Sequence, residues 1–164
     1  MEADRDDSKA AILAFLERIG LEVRREQIAG KTFMPGVTIR HGALVVDEER
    51  LLYPGDLLHE AGHMAVMSPA ERAACEGNAV GAEMAAIAWS YAAALEIGLD
   101  PLVVFHPGGY RSGGASIVEN FREGRYFGVP LLQWYGMTRE RPGPAETATY
   151  PRMAAWLRTS TDLS

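Results

Sequence analysis

Two of the four histidines in this chain stand four residues apart, in the stretch His59-Glu60-Ala61-Gly62-His63. On an α-helix, positions i and i+4 lie on one face, so the two imidazole rings can reach one metal ion. Imidazole nitrogen is a common zinc ligand, and a glutamate beside the first histidine can serve as general base toward a water molecule. This HExxH spacing predicts a helix that carries a catalytic zinc site.

The residues that flank this motif are apolar on nearly every side of the expected helix. They are Leu57, Leu58, Met64, Ala65, Val66 and Met67. A buried helix with two histidines and a glutamate needs partners for those polar groups, and a metal ion supplies them. The alternative is a surface helix whose histidines are solvated, in which case the motif binds no metal.

A catalytic zinc ion commonly has three protein ligands, so one more is needed besides the histidines. Val66 and Pro69 stand where the longer HExxHxxGxxH pattern requires glycine and histidine, which excludes that pattern. Glu83, in an alanine-rich stretch, is the expected third ligand, because a lone glutamate on an apolar helix is costly to bury unless it is paired or ligating. Its alternative is a plain surface position. Glu76 is the competing ligand, and Cys75 is expected to pack as a small hydrophobic side chain.

Hydrolysis of an amide also needs a hydrogen-bond donor for the oxyanion that develops on the substrate. The candidates are His106, Tyr110 and Arg111, in a glycine-rich stretch at 106–114 that is expected to be a loop able to cover a cleft. An ordinary surface loop is the alternative. His41 is expected in an exposed turn. Aromatic side chains expected to anchor the core are Tyr126, Trp134, Tyr135 and Trp156.

The elements that must position these groups follow from hydrophobic spacing and turn residues. A β-hairpin is expected from strands at 37–39 and 43–46, because both runs are β-prone and Gly42 suits the turn between them. A third strand is expected near 51–53. The metal-binding helix follows directly after this β-structure.

The rest of the chain is expected to be mostly helical. The metal-binding helix runs from about 57 to 67, with Asp56 as its N-cap. Further helices are expected at 8–19, from Ser68 with a capping box to Glu71, at 79–97 with Gly98 as its stop, at 115–123, and beginning at Pro130 and Pro151, with a loop at 141–147. The fold class predicted from these elements is α+β.

Composition and charge exclude several functional classes. The net charge is -6 and the pI about 5.2, whereas a nucleic-acid-binding protein normally has a basic face. The acidic N-terminus is unlike a secretory signal, and the single cysteine fits a reducing cytoplasm. The apolar stretch 79–99 contains Glu83 and Glu96, which favours a buried helix over a membrane span. We therefore expect a single cytoplasmic domain over 1–164, with no nucleic-acid or membrane partner.

A HEAGH helix followed by a glutamate on a second helix resembles the gluzincin branch of zinc metallopeptidases, the group that includes thermolysin. The resemblance covers about residues 37–97, and the short chain is similar to minimal metallopeptidase-like domains of bacteria. It implies a zincin-like fold with zinc held by His59, His63 and Glu83, and with Glu60 activating the water. It also implies a sheet before the helix whose edge strand holds an extended peptide substrate.

The expected function is that of a zinc-dependent metallopeptidase, in which zinc-activated water hydrolyses a bond of a peptide or protein substrate and Glu60 is the general base. One alternative is a non-catalytic metal-binding or interaction domain of the same fold. Two others remain open from the residues alone, namely a purely structural HEAGH helix without metal and the hydrolysis of a non-peptide amide.

Overall fold

The computed structural model describes residues 2–110, 113–143 and 148–161. Along the chain the elements are α1 (Glu2–Arg18), β1 (Val23–Arg25), β2 (Val37–Arg40), β3 (Ala43–Val46), α2 (Gly55–Ala65), α3 (Pro69–Ala73), α4 (Glu83–Ile97), a 3-10 helix (Pro101–Val103), α5 (Pro107–Tyr110), α6 (Gly113–Arg122) and α7 (Val129–Trp134). The fold is α+β and mostly helical, as the sequence predicts. Within the described ranges, no helix combines the length and the apolar character that crossing a bilayer requires.

The sheet has the strand order β1-β3-β2 and contains the predicted hairpin. Strands β2 and β3 are antiparallel, and His41 and Gly42 both have a positive φ in the turn between them, the conformation that a tight hairpin turn requires. His41 is exposed there, as predicted. The hairpin expectation is confirmed.

The third strand is not the one expected near 51–53. It is β1, which pairs in parallel with β3. After β3 the chain turns instead of adding a strand, because the N–H groups of Arg50 and Leu51 both bond to the carbonyl oxygen of Asp47. β1 is short and contains two arginines, so its sequence carries no strand-like alternation of polar and apolar residues.

Helix α2 carries the motif, and each of its residues is buried. It packs between α1 and α4, and its apolar side chains belong to the main hydrophobic cluster. Gly62 allows the close approach of α4, since a Cβ atom there would lie 3.0 Å from the carbonyl oxygen of Ala86. The helix begins two residues earlier than expected, with Pro54 as its N-cap residue. Asp56 lies inside the first turn, so its assignment as N-cap is wrong.

The carboxyl end of α2 is held by two arginines. The guanidinium of Arg72 donates to the carbonyl oxygens of Met64, Ala65 and Met67, and that of Arg158 donates to the carbonyl oxygen of Val66. Cations at this end complement the helix dipole and satisfy carbonyl groups that lack a partner within the helix. The segment after α7 is thereby joined to the motif helix.

Helix α4 begins at Glu83 and not at residue 79 as predicted. The residues before it, 78–82, form an irregular connection that we call the linking segment. Gly81 and Ala82 have φ values of +90° and +50°, so the backbone leaves the helical region there. Two expected helix ends are confirmed: Ser68 and Glu71 form a capping box, and Gly98 terminates α4 in the left-handed conformation.

The C-terminal third departs from expectation in several places. The run after Asp100 forms a 3-10 helix, and Pro130 is near the start of α7, as expected. Pro151 lies in a turn and starts no helix, so that expectation is wrong. Residues 144–147 of the expected loop at 141–147 lie outside the described residues.

Two of the four aromatic side chains expected in the core are exposed. Trp134 is 64% exposed and Tyr126 is 37% exposed, because each presents a face that no neighbouring element covers fully. Trp156 packs edge-on against Phe15, with ring centroids 5.0 Å apart. Tyr135 lies beneath the guanidinium of Arg158. Trp156 and Tyr135 pack against the core as predicted, and the half-exposed Tyr126 still contacts the buried rings of Phe121 and Tyr150.

Candidate metal centre

The side chains of His59, His63 and Glu83 meet in one cluster, with one ligand atom from each within 4.8 Å of the others. Glu83 Oε2 lies 2.9 Å from His63 Nε2, and Glu83 Oε1 lies 3.8 Å from His59 Nε2. The two histidines are buried on α2, whereas the Glu83 side chain is 53% exposed at the first turn of α4. The close packing of α2 against α4 brings the three together.

The ring of His63 is oriented by the linking segment. Its Nδ1 lies 2.8 Å from the carbonyl oxygen of Gly81, to which it donates a hydrogen bond. This fixes the tautomer and directs Nε2 into the cluster, as outer-shell carbonyl groups do in metal sites. Burial alone would lower the pKa of His63, but the hydrogen bonds to Glu83 and Gly81 outweigh burial and raise the pKa above 6.5.

The other two members of the cluster are ready to act as ligands at neutral pH. Burial, together with the charge of His63, lowers the pKa of His59 to about 4, so this imidazole is neutral. The hydrogen bond from His63 lowers the pKa of Glu83, which is therefore a carboxylate. Two imidazoles, once His63 has lost its second proton, and one carboxylate form a donor set that catalytic zinc sites use. The residues present fit zinc.

Glu60 is buried beside this cluster, with only 3% of its surface exposed. Burial raises the pKa of its carboxyl group, although a hydrogen bond from the backbone N–H of Ala79 acts in the opposite direction. Glu60 and the three cluster residues line one cavity of about 340 Å³. A carboxylate with a raised pKa beside a metal site is suited to accept and return a proton.

The linking segment thus supports two functional side chains at once. The N–H of Ala79 bonds to Glu60, and the carbonyl oxygen of Gly81 accepts from His63. Sequence reasoning assigned these residues to a helix and missed this role. The pair Gly77 and Gly81 is the signal that could have revealed it, since both have positive φ values that interrupt a helix.

In comparison with family models, curated proteins and solved structures, the chain matches none. The resemblance to gluzincins therefore remains a prediction. What supports a metal site is the arrangement of the residues themselves.

Asp56 is a cavity residue that the sequence reasoning used only as a helix cap. It lies three and four positions before His59 and Glu60, hence on the same face of α2, and it lines the cavity. Its Oδ1 lies 2.7 Å from Nε2 of His106, and burial raises the pKa of its carboxyl group. Its spacing of three and four positions from His59 and Glu60 could have indicated from the sequence that Asp56 faces the cavity.

His106, a predicted catalytic residue, is buried against Asp56. Its ring stacks on Tyr53 with centroids 4.0 Å apart, and its Nδ1 is buried without a hydrogen-bond partner among the described residues. It reaches the cavity through Asp56, which makes it a positioning residue. The expected loop at 106–114 is largely helical, in α5 and α6.

Two further oxyanion candidates are not tested by the geometry. Tyr110 ends α5, and its side chain lies outside the described part of the structure, as does Arg111 entirely. Glu76 is a different case, because its carboxylate pairs with the exposed His41. Of the two glutamates considered as third ligand, only Glu83 reaches the histidines.

Strand β2 is the edge of the sheet, but part of this edge is already covered. The N–H and carbonyl groups of Ile39 both bond to Gly77, and the N–H of Val37 bonds to Met34. These backbone groups are unavailable to a substrate strand. The substrate position implied by the resemblance therefore does not apply to β2 at these residues.

Proposed function

We propose that this protein is a zinc-dependent metallopeptidase, in which His59, His63 and Glu83 hold the ion and Glu60 is the general base. The observation that carries the proposal is that the three ligand atoms converge in the same cavity that Glu60 lines. The three potential ligands and the proposed base thereby share one cavity, which is the arrangement that metal-assisted hydrolysis requires.

A bound zinc ion would supply a Lewis acid that polarises the scissile carbonyl and makes water a better acid. Glu60 accepts a proton from the attacking water as the new C–O bond forms, and returns it to the nitrogen as the C–N bond breaks. One oxygen of Glu60 is fixed by Ala79, and the other has no hydrogen-bond partner among the described residues. Burial raises the pKa of Glu60, which strengthens it as a base and lets it hold the proton between the two steps.

Asp56 and His106 support the general base Glu60 without contacting the substrate. The charge of Asp56 contributes to the raised pKa of Glu60, and His106 holds Asp56 in place through its Nε2. Tyr110 and Arg111 remain the candidate donors for the substrate oxyanion. We place the activity in the cytoplasm, since the single cysteine fits a reducing compartment.

Replacement of Glu60 tests the proposal. The Glu60→Gln protein should retain one zinc per chain, measured by elemental analysis, while cleavage of a broad peptide library, measured by mass spectrometry, falls by about 100–10,000-fold, the usual contribution of a general base. Glu76→Gln, which changes an acidic residue outside the cavity, should leave both quantities unchanged. Cleavage by Glu60→Gln at the wild-type rate would refute the proposal.

A second candidate function is a non-catalytic metal-binding domain. The covered edge of β2 favours it, because the strand that would hold a peptide in the resembling enzymes is already paired at Ile39. In that case the wild-type protein would contain stoichiometric zinc yet cleave no member of the library.

A further inference from the structure

The two most exposed large hydrophobic side chains among the described residues both lie on the cavity of the metal centre. Phe33 is 77% exposed and Val80 is 73% exposed, and both line this cavity. Single exposed hydrophobic residues are common and need no explanation. Two at the mouth of a cavity that also holds a cluster of potential ligands indicate a surface that binds something apolar.

We propose that this cavity accepts an apolar side chain of an extended peptide, with Phe33 and Val80 as specificity-determining residues. The inference rests on the proposed function and adds its substrate class. Met34 and Ala79 also line the cavity and add apolar surface to it. The cavity of about 340 Å³ is at the lower end of the usual range for ligand sites, which suits one side chain and its adjoining peptide groups.

The charges of the cavity argue against a charged side chain in this position. Its three acidic groups already have partners: Asp56 pairs with His106, Glu60 accepts from Ala79, and Glu83 contacts the motif histidines. The second oxygen of Glu60 is reserved for the attacking water, so a basic side chain would compete with that water, and an acidic one would be repelled. An apolar side chain avoids both costs and covers exposed hydrophobic surface.

The surrounding backbone suits a peptide and not only a small apolar molecule. The N–H and carbonyl groups of Val80 have no hydrogen-bond partner among the described residues, so a peptide main chain could supply both. Phe33 is presented by a fixed turn. Met34 accepts bonds from Thr32 and Val37, and Gly36 is so close to Leu51 that a Cβ atom would meet its backbone nitrogen at 2.4 Å.

Binding to the zinc-loaded Glu60→Gln protein separates this inference from hydrolysis. The probes are fluorescent, end-blocked alanine hexapeptides with one variable central residue, and the measurement is fluorescence anisotropy. Leucine or phenylalanine at that position should bind at least about tenfold more tightly than serine, lysine or aspartate. When Phe33→Ser or Val80→Ser is added to the Glu60→Gln protein, the ratio of affinities for apolar and polar peptides should fall to about 1. When Phe33→Leu is added instead, the ratio should persist.

The control is Trp134→Ser, which removes another exposed aromatic side chain that does not line the cavity. This variant should keep the preference for apolar peptides. Zinc content and circular dichroism check that each variant is folded. Equal binding of all peptides, no binding of any peptide, or a preference that survives Phe33→Ser and Val80→Ser would overturn the inference. A preference in binding without cleavage by the wild-type protein would leave the inference standing and refute the proposed hydrolysis.

Discussion

The imidazole of His63 is tied to the carbonyl oxygen of Gly81 by a 2.8 Å hydrogen bond from its Nδ1. This bond joins a ligand on α2 to the segment that leads into α4, where the third ligand lies. Orientation of the metal site therefore depends on a backbone carbonyl from outside the motif. The first prediction follows from this contact.

Replacement of Gly81 by alanine should weaken zinc binding. Gly81 has a φ of +90°, so alanine strains the backbone and displaces the carbonyl group that orients His63. We expect a loss of roughly 10–100-fold in zinc affinity, the usual effect of removing an outer-shell partner. Competition with a chelator of known affinity measures it. The matched control is Gly124→Ala, which has the same kind of strain at a φ of +80°, lies outside the cavity lining and should bind zinc normally.

The identity of the third ligand predicts different effects for two glutamates. Glu83→Gln should lower zinc affinity by more than the roughly 10–100-fold expected for an outer-shell change, because a charged ligand is lost. Glu76→Gln should change it little, since Glu76 pairs with His41 outside the cluster. Isothermal titration of the zinc-free proteins compares the two. Equal affinities for Glu83→Gln and the wild type would show that another group is the ligand.

Zinc affinity should depend on pH through His63. Its pKa is raised above 6.5 by Glu83 and the Gly81 carbonyl, against the effect of burial, and zinc requires the neutral ring. As the pH falls below this pKa, a proton competes with zinc and the affinity should drop about tenfold per unit. His59, with a pKa of about 4, stays neutral near neutrality and adds no competition. Titrations from about pH 8 to about pH 5 would show a steeper, two-proton dependence if both histidines competed.

Because α2 packs closely against α4 at Gly62, we expect Gly62→Ala to lower the stability of the protein. A Cβ atom at this position would lie 2.9 Å from Ser90 Oγ and 3.0 Å from the Ala86 carbonyl oxygen, so the Ser90 side chain must turn away and the α4 backbone must shift slightly. We expect a loss of about 1–3 kcal/mol in the free energy of unfolding, measured by chemical denaturation of the zinc-free protein. Zinc affinity should fall as well, because the ligands lie on both helices. Gly113→Ala, where a Cβ atom meets nothing within 4 Å, is the matched control.

Much of the local structure could be predicted from sequence, because its causes act over a few residues. Helical spacing determines that His59 and His63 share a face, the capping box at Ser68 starts α3, and Gly98 ends α4. The hairpin follows from two β-prone runs around Gly42. In each case the deciding interactions lie within one turn of helix or one tight turn.

The predictions that the structure overturns concern segments whose conformation depends on contacts with distant parts of the chain. Strand β1 forms because β3 offers it a partner about twenty residues away, and the linking segment is irregular because it bonds to Glu60 and His63 instead of to its own preceding turn. Asp56 was taken for a cap because nothing in its neighbourhood along the chain indicates His106, fifty residues later.

By itself, the sequence determined that a helix would carry two imidazoles on one face with a glutamate beside the first, and its apolar flanks predicted that this helix would be buried. Only the tertiary structure decided that Glu83 and not Glu76 meets them, and that Phe33 and Val80 border the same cavity. The physical reason is that the spacing of ligands along one helix is a property of the backbone period. Which carboxylate arrives from another helix depends instead on how closely α4 packs against Gly62, and hence on the packing of the whole core.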